Sequence, residues 1–203
     1  VDPDAHLILL VRLIPPNWWM EEHPTEWVAY GTSDQLDSSD EARRCKRASP
    51  ASEAWLQDTG EAWRALIQHL EAQPWGKRVI GYHACYGIYA EWHYFGSWTD
   101  QYPDTGAAMT RTFREWLRGK YESVADLRQA WNDAQVTFDT AQVPGVEPRK
   151  RSQLIAFRRP TQERRVIDYY HCQQQVIADD IEFFGRIAKQ ETQEQALYGV
   201  YSG

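Results

Sequence analysis

Glu91 is the residue of this sequence whose type and surroundings most clearly suggest chemistry. It lies in "GYHACYGIYAEWHYFGSWTD", residues 81–100, where aromatic residues and two histidines crowd one carboxyl group. Neighbouring rings would exclude water and keep the carboxyl group protonated, because burial disfavours its charged form. A protonated carboxyl group near neutral pH can donate a proton to a leaving oxygen. Aromatic walls beside an acid suit a sugar, whose C–H faces pack on flat rings.

Further candidates follow the predicted strands, where parallel α/β folds gather their chemistry. The predicted substrate-binding residues are Trp18, Trp19, His83, Trp92, Trp98 and Tyr201. Each has a structural alternative. The tryptophans can be core or loop anchors, and His83 can be a hydrogen-bonded core histidine. His93 and Tyr94 are further candidates for the site lining.

Alternating strands and helices are expected to position these side chains. The apolar run 6–13 predicts a strand buried on both faces, and 77–85 and 196–203 predict two more. Helical spacing predicts helices over 50–73, capped by Ser49 with Pro50 at the first position, and over 161–190. Between them, an insertion of about 100–160 carries a helix with Phe113 and Leu117 on one face, and Ser123 caps a shorter one.

This α/β order implies parallel strands joined by right-handed crossovers. Three β/α units cannot close an eight-stranded barrel, which takes about 250 residues. The sheet is therefore either open or the middle of a barrel, and the abrupt ends of the chain favour the second. The whole of 1–203 is then expected to be the central part of a (β/α)8 domain.

The sequence resembles family-42 glycoside hydrolases, which are β-galactosidase-type enzymes with a TIM barrel. The resemblance rests on "PPNWW" after the first strand, "RVIGYH" followed by "AEW", and "FREWLRGKYESVADLRQAWNDAQVTF" in the insertion. It implies that the strands are the third, fourth and fifth of the barrel. By the same resemblance Glu91 is the general acid/base, and Trp18 and Trp19 form an aromatic lip. The family's nucleophile follows its seventh strand, which this chain does not reach.

Two departures from the family pattern bear on specificity. The family usually has Asn before the glutamate, where it binds the sugar 2-hydroxyl, and here that position is Ala90. The link from the strand to Glu91 is longer and carries Gly87. A non-catalytic carbohydrate-binding or structural relative of the same barrel family is therefore the alternative function. An open flavodoxin-like sheet is disfavoured, because "IPPNWW" is unlike a glycine-rich phosphate loop.

Composition restricts the partners. The 203 residues carry a net charge of −7, and no basic stripe alternates with the ten tryptophans, which argues against nucleic acid. No apolar run approaches a membrane span, and three cysteines without paired spacing support neither a disulfide framework nor a zinc site. We expect an oligosaccharide or β-galactoside substrate, no cofactor and no metal. The missing signal peptide favours the cytoplasm, and homo-oligomerisation of a longer parent protein is left open.

Two short charged runs are predicted to be solvated loops. The basic run 147–153 lies beside prolines, and the acidic run 34–41 lacks the regular spacing and glycine of a calcium loop. We expect Trp116 and Trp131 to pack within the insertion. Asp168 is expected to cap a helix or to face solvent.

Overall fold

The chain forms a small parallel sheet with helices packed on it. The computed structural model describes residues 2, 4–31, 47–87, 89–94, 96, 101–150 and 157–202. In chain order the elements are β1 Leu7–Arg12, α1 Asn17–Glu22, α2 Glu53–Glu71, a 3-10 turn Gly76–Arg78, β2 Val79–Cys85, α3 Ala107–Lys120, α4 Val124–Trp131, α5 Val146–Lys150, α6 Pro160–Glu191 and β3 Leu197–Gly199. The predicted alternation of strands and helices is confirmed, with the addition of the short helices α1 and α5.

The three strands are parallel and lie in the order β1-β2-β3. Helices α2 and α6 cover one face of this sheet. On that face Tyr82 packs edge-on against Trp63 of α2, with ring centroids 5.8 Å apart. The ring of Tyr198 lies so close to Gly185 of α6 that a Cβ atom there would come within 2.9 Å of it. The parallel α/β class predicted from the apolar runs is therefore correct.

The opposite face of the sheet is apolar and uncovered. Ile8, Leu10 and Leu197 point to this side and are 53%, 58% and 61% exposed. The prediction that the first strand is buried on both faces is therefore wrong for this chain. Its residues alternate between half-buried and exposed, because among the described residues only the face towards the helices has a packing partner.

Helix α2 begins three residues later than predicted. Ser52, not Ser49, is the N-cap, and its hydroxyl accepts a hydrogen bond from the Trp55 N–H at 3.1 Å. Ser49 is buried and donates instead to Asp104 Oδ2 at 2.6 Å. Asp104 also accepts from the N–H groups of Ala29 and Gly106. Burial raises the pKa of Asp104 to about 6, and these hydrogen bonds oppose the rise.

The insertion is held on α6 by a buried carboxylate. Phe113, a buried residue of α3, stacks on Trp116 and Trp131, which confirms the packing role of both tryptophans. Trp131 Nε1 donates to Asp168 Oδ2 at 2.8 Å. Asp168 is 0% exposed, so the expectation that it caps a helix or faces solvent is wrong. Ser123 caps α4 as predicted, accepting from Asp126 N.

The basic run is not simply a solvated loop. Residues 146–150 form α5, and Arg149 is 3% exposed. Its guanidinium donates to the carbonyl oxygens of Tyr102, at 2.6 Å, and Pro103, and lies 5.0 Å from the ring centroid of Tyr169. The Arg149 side chain therefore holds the start of the insertion, at Tyr102 and Pro103, in place. The acidic run 34–41 lies outside the described residues.

Candidate functional site

Glu91 lies just beyond the carboxyl ends of β2 and β3. It forms a parallel bridge with Tyr201, and the next N–H, that of Trp92, donates to the Tyr201 carbonyl oxygen at 2.8 Å. The loop that leaves β2 thus returns to extend the sheet beside the end of β3. This is the edge of a parallel sheet at which functional side chains are expected to gather.

The side chain of Trp92, next to Glu91 in sequence, is buried in the core and fixes the backbone at this point. Its ring is 1% exposed, and its Nε1 donates to the carbonyl oxygen of Ala84 in β2 at 2.9 Å. It packs on the rings of Tyr86, Trp55 and Phe184, with centroids 5.3, 6.4 and 5.9 Å away. A ring buried this deeply has no free face for a sugar. The prediction that Trp92 lines the sugar-binding site is therefore corrected: Trp92 is a core residue that holds its neighbours in place.

The turn before Glu91 uses unusual backbone conformations. Gly87 has a φ of 66°, and a Cβ atom there would lie 2.7 Å from the Glu91 carbonyl oxygen. Ala90 also has a positive φ, of 67°. Glycine adopts this region freely, whereas alanine does so at some cost. The longer link noted in the sequence is therefore a tight turn that only a glycine at position 87 accommodates.

The carboxylate of Glu91 is partly open to solvent. Its side chain is 39% exposed, and an ionisable group lies beside it: Nδ1 of His93 is 3.6 Å from Oε2. Three of the aromatic rings close to Glu91 in sequence belong to the core. Tyr86, Trp92 and Tyr94 are all buried in the core, at 5%, 1% and 5% exposure. These three rings are therefore core side chains and do not form the expected wall around the carboxylate.

His83 and Tyr201 meet on the uncovered face of the sheet. Their ring centroids are 4.1 Å apart, with an interplanar angle of 45°. Tyr201 is 50% exposed. Burial lowers the pKa of His83, and its Nε2 is buried without a hydrogen-bond partner among the described residues. This pair forms an aromatic and polar surface next to the backbone bridge of Glu91.

The two tryptophans after β1 have different environments. Trp18 is 59% exposed, whereas Trp19 is 3% exposed, donates from Nε1 to Asp58 Oδ2 at 2.7 Å and stacks on His23. Both border a groove of about 300 Å³ between the end of β1 and α2, and Glu91 is not among its lining residues. Trp18 has an exposed face for a ligand, and Trp19 is a buried residue that ties α1 to Asp58 of α2. Trp98 lies outside the described residues.

The described residues contain no group of three or more histidine, cysteine, aspartate or glutamate side chains placed to hold a metal ion. Cys85 and Cys172 are buried free thiols, and Cys45 lies outside the described range. None of the described helices combines the length and apolar character needed to cross a bilayer.

The fold and site together define an α/β unit of parallel strands and helices with its candidate residues at the carboxyl ends of the strands. No protein-family model and no curated protein matches the sequence. Solved structures do match, and β-galactosidases are among them.

Three of these structures illustrate the similarity. The β-galactosidase from the psychrophilic Marinomonas ef1 superposes with a TM-score of 0.67 and 18% identity, over 95% of this chain and 27% of its own length. That from the haloarchaeon Halorubrum lacusprofundi gives 0.63 and 18%, over 92% and 25%. A GH42 β-galactosidase from G. stearothermophilus gives 0.62 and 14%, over 95% and 25%. The family resemblance noted in the sequence is thus confirmed at the level of the fold, and the chain spans about a quarter of these proteins.

Proposed function

We propose that this chain is the central part of the (β/α)8 barrel of a retaining, β-galactosidase-like glycoside hydrolase, with Glu91 as its general acid/base. The observation that carries the proposal is the position of Glu91. It follows β2 at the carboxyl edge of a parallel sheet, in a fold that β-galactosidases share. The strands are then the third, fourth and fifth of the barrel.

The uncovered sheet face supports a barrel. Parallel sheets are normally covered on both faces, and their strands are correspondingly apolar throughout. Here Ile8, Leu10 and Leu197 leave an apolar surface open, which soluble proteins rarely do over a contiguous area. Further strands that close the sheet on itself would bury these side chains in the barrel interior.

The mechanism follows from two carboxyl groups. In retaining hydrolysis one protonates the leaving oxygen while the other, about 5–5.5 Å away, attacks the anomeric carbon. Glu91 supplies the first, and the second belongs to a segment outside this chain. The free face of Trp18 and the His83–Tyr201 pair are the side chains proposed to contact the sugar. Trp98 is a further candidate for this contact.

The test is Glu91→Ala in the longer protein that this proposal requires, assayed with aryl glycosides that carry good and poor leaving groups. An acid/base role predicts a loss of about a hundredfold or more with poor leaving groups, a smaller loss with good ones, and rescue by azide. Glu115→Ala, an exposed glutamate on α3, is the matched control and should leave both rates unchanged. Equal small losses with both substrates would refute the assignment.

A non-catalytic carbohydrate-binding relative is the second candidate. Ala90 favours it, because the family's asparagine is missing, and so does the partly exposed carboxylate of Glu91. In that case Glu91 only hydrogen-bonds a sugar hydroxyl. Galactosides would then bind to the longer protein without being hydrolysed, and Glu91→Ala would weaken binding alone.

A further inference from the structure

Glu91 and His93 are held side by side by the turn that they share. The His93 N–H donates to the Glu91 carbonyl oxygen at 3.2 Å, which bends the chain tightly around the buried Trp92. The two side chains that flank this anchor meet, with His93 Nδ1 3.6 Å from Glu91 Oε2. That separation is slightly longer than a hydrogen bond, and catalytic hydrogen bonds are often this long before substrate binds.

The imidazole is the better-buried partner. The side chain of His93 is 13% exposed, against 39% for Glu91. Burial lowers the pKa of His93, the negative charge of Glu91 opposes this effect, and the positive charge of Arg47 adds to it. Arg47 is itself 7% exposed and therefore acts with little screening by water. The imidazole is consequently neutral at neutral pH.

The charge on this imidazole decides what the neighbouring carboxyl group can do. A neutral imidazole can hydrogen-bond a protonated carboxyl group without favouring its ionisation. An imidazolium favours the carboxylate, which has no proton to give.

We propose that His93 is a positioning residue for Glu91: in its neutral form it holds the carboxyl group in the orientation needed for proton donation. This inference rests on the proposed function, since it assigns a control to the same acid. It predicts that proton donation by Glu91 depends on the side chain at position 93.

The first test needs no activity. Histidine ring signals of this chain are titrated by NMR in the parent sequence and in Glu91→Gln, with His93 assigned through His93→Asn. Removing the carboxylate charge should move the His93 transition to lower pH and leave that of His69, a histidine in the last turn of α2, where it was. An unmoved His93 transition would overturn the coupling.

The second test uses the longer protein. His93→Asn keeps an N–H donor near the Nδ1 position without a titrating charge, and His93→Ala keeps neither. We expect His93→Ala to lower kcat/KM about tenfold with poor leaving groups and much less with good ones. His93→Asn should stay within about threefold of the parent near neutral pH, because it keeps a donor that can orient the carboxyl group.

The outcomes separate the two proposals. Equal losses with both substrates, or no rescue by His93→Asn, would mean that His93 only supports the fold, and the inference would be wrong. A longer protein that hydrolyses no glycoside would refute the proposed function, and Glu91 and His93 would then have no catalytic role. The NMR titration would still decide whether the two groups are coupled.

Discussion

Replacing Asp168 with alanine should be among the most damaging single changes in this chain. The carboxylate is fully buried and is surrounded by cations and hydrogen-bond donors. Lys120 Nζ and Arg164 Nε lie 2.7 and 2.9 Å from Oδ1, and the Tyr121 hydroxyl and Trp131 Nε1 donate to Oδ2 at 2.6 and 2.8 Å. These groups come from α3, its C-terminal end, α4 and α6, so that a single side chain joins the insertion to the long helix.

The size of the effect follows from what the substitution leaves behind. Removing one partner of a buried ion pair costs about 3–5 kcal/mol, and each neutral donor left without an acceptor costs about 1–3 kcal/mol. The side chains of Lys120 and Arg164 are 22% and 34% exposed, so both cations can recover part of their hydration. We therefore expect Asp168→Ala to lower the free energy of unfolding by about 4 kcal/mol.

Urea denaturation at pH 7, followed by circular dichroism and tryptophan fluorescence, measures this loss. Asp139→Ala is the matched control, because Asp139 pairs with Arg118 at 86% exposure, and such a pair contributes about 0.5 kcal/mol or less. A loss under about 1.5 kcal/mol for Asp168→Ala, or an equal loss for both variants, would refute the reasoning.

Three further predictions concern the turn and a second buried acid. Gly87→Ala should displace Glu91, lower the free energy of unfolding by about 1–3 kcal/mol and impair any glycosidase activity. The control is Gly119→Ala, which should be neutral or stabilising because a Cβ atom there would have nothing within 4 Å. Equal effects of the two substitutions would contradict the argument from the turn. Ala90→Asn should stabilise by about 0.5 kcal/mol in thermal unfolding, since asparagine tolerates positive φ better, and a lower Tm would count against this. Burial raises the pKa of Asp180 well above 3.8, and the charge of Asp179 adds to the effect, so the folded state loses stability as this buried acid is forced to ionise above about pH 4. The stability gained by Asp180→Asn should therefore grow from about pH 4 to pH 7. A constant difference between the two proteins in urea titrations would refute this.

The strands and long helices can be predicted because their signals are local. Apolar runs bounded by proline or charge mark β1 and β2, and helical spacing marks α2 and α6, with boundaries wrong by a few residues. The N-cap of α2 differs from the prediction for a reason that lies far away in the sequence. Ser49 has an acceptor in Asp104, 55 residues later, so the cap falls to Ser52.

The sequence predicts the composition of the candidate site but not its geometry. Aromatic residues around Glu91 suggest a wall of rings, but the sequence does not show which way each ring points. Trp92 faces the core because its indole N–H finds the Ala84 carbonyl oxygen below it. His93, only a minor candidate for the site lining in the sequence, is an ionisable group that lies beside the carboxylate. Glu91 and His93 are two positions apart, on either side of the buried Trp92, and this spacing is the signal that could have identified His93.

The partial exposure of Glu91 is tied to the uncovered face of the sheet. Its bridge partner Tyr201 is half exposed, and it lies against His83 on the same side as Ile8 and Leu10. If further strands cover this face, they also narrow the space around the Glu91 carboxylate. The carboxylate is then desolvated by the rest of the barrel and not by the rings that neighbour Glu91 in sequence. Burial by a remote segment disfavours the charged form in the same way as burial by local rings. If Glu91 is the proposed acid, its proton donation therefore depends on closure of the sheet, and we expect this chain alone to bind sugars more weakly than a protein with the further strands and to hydrolyse none.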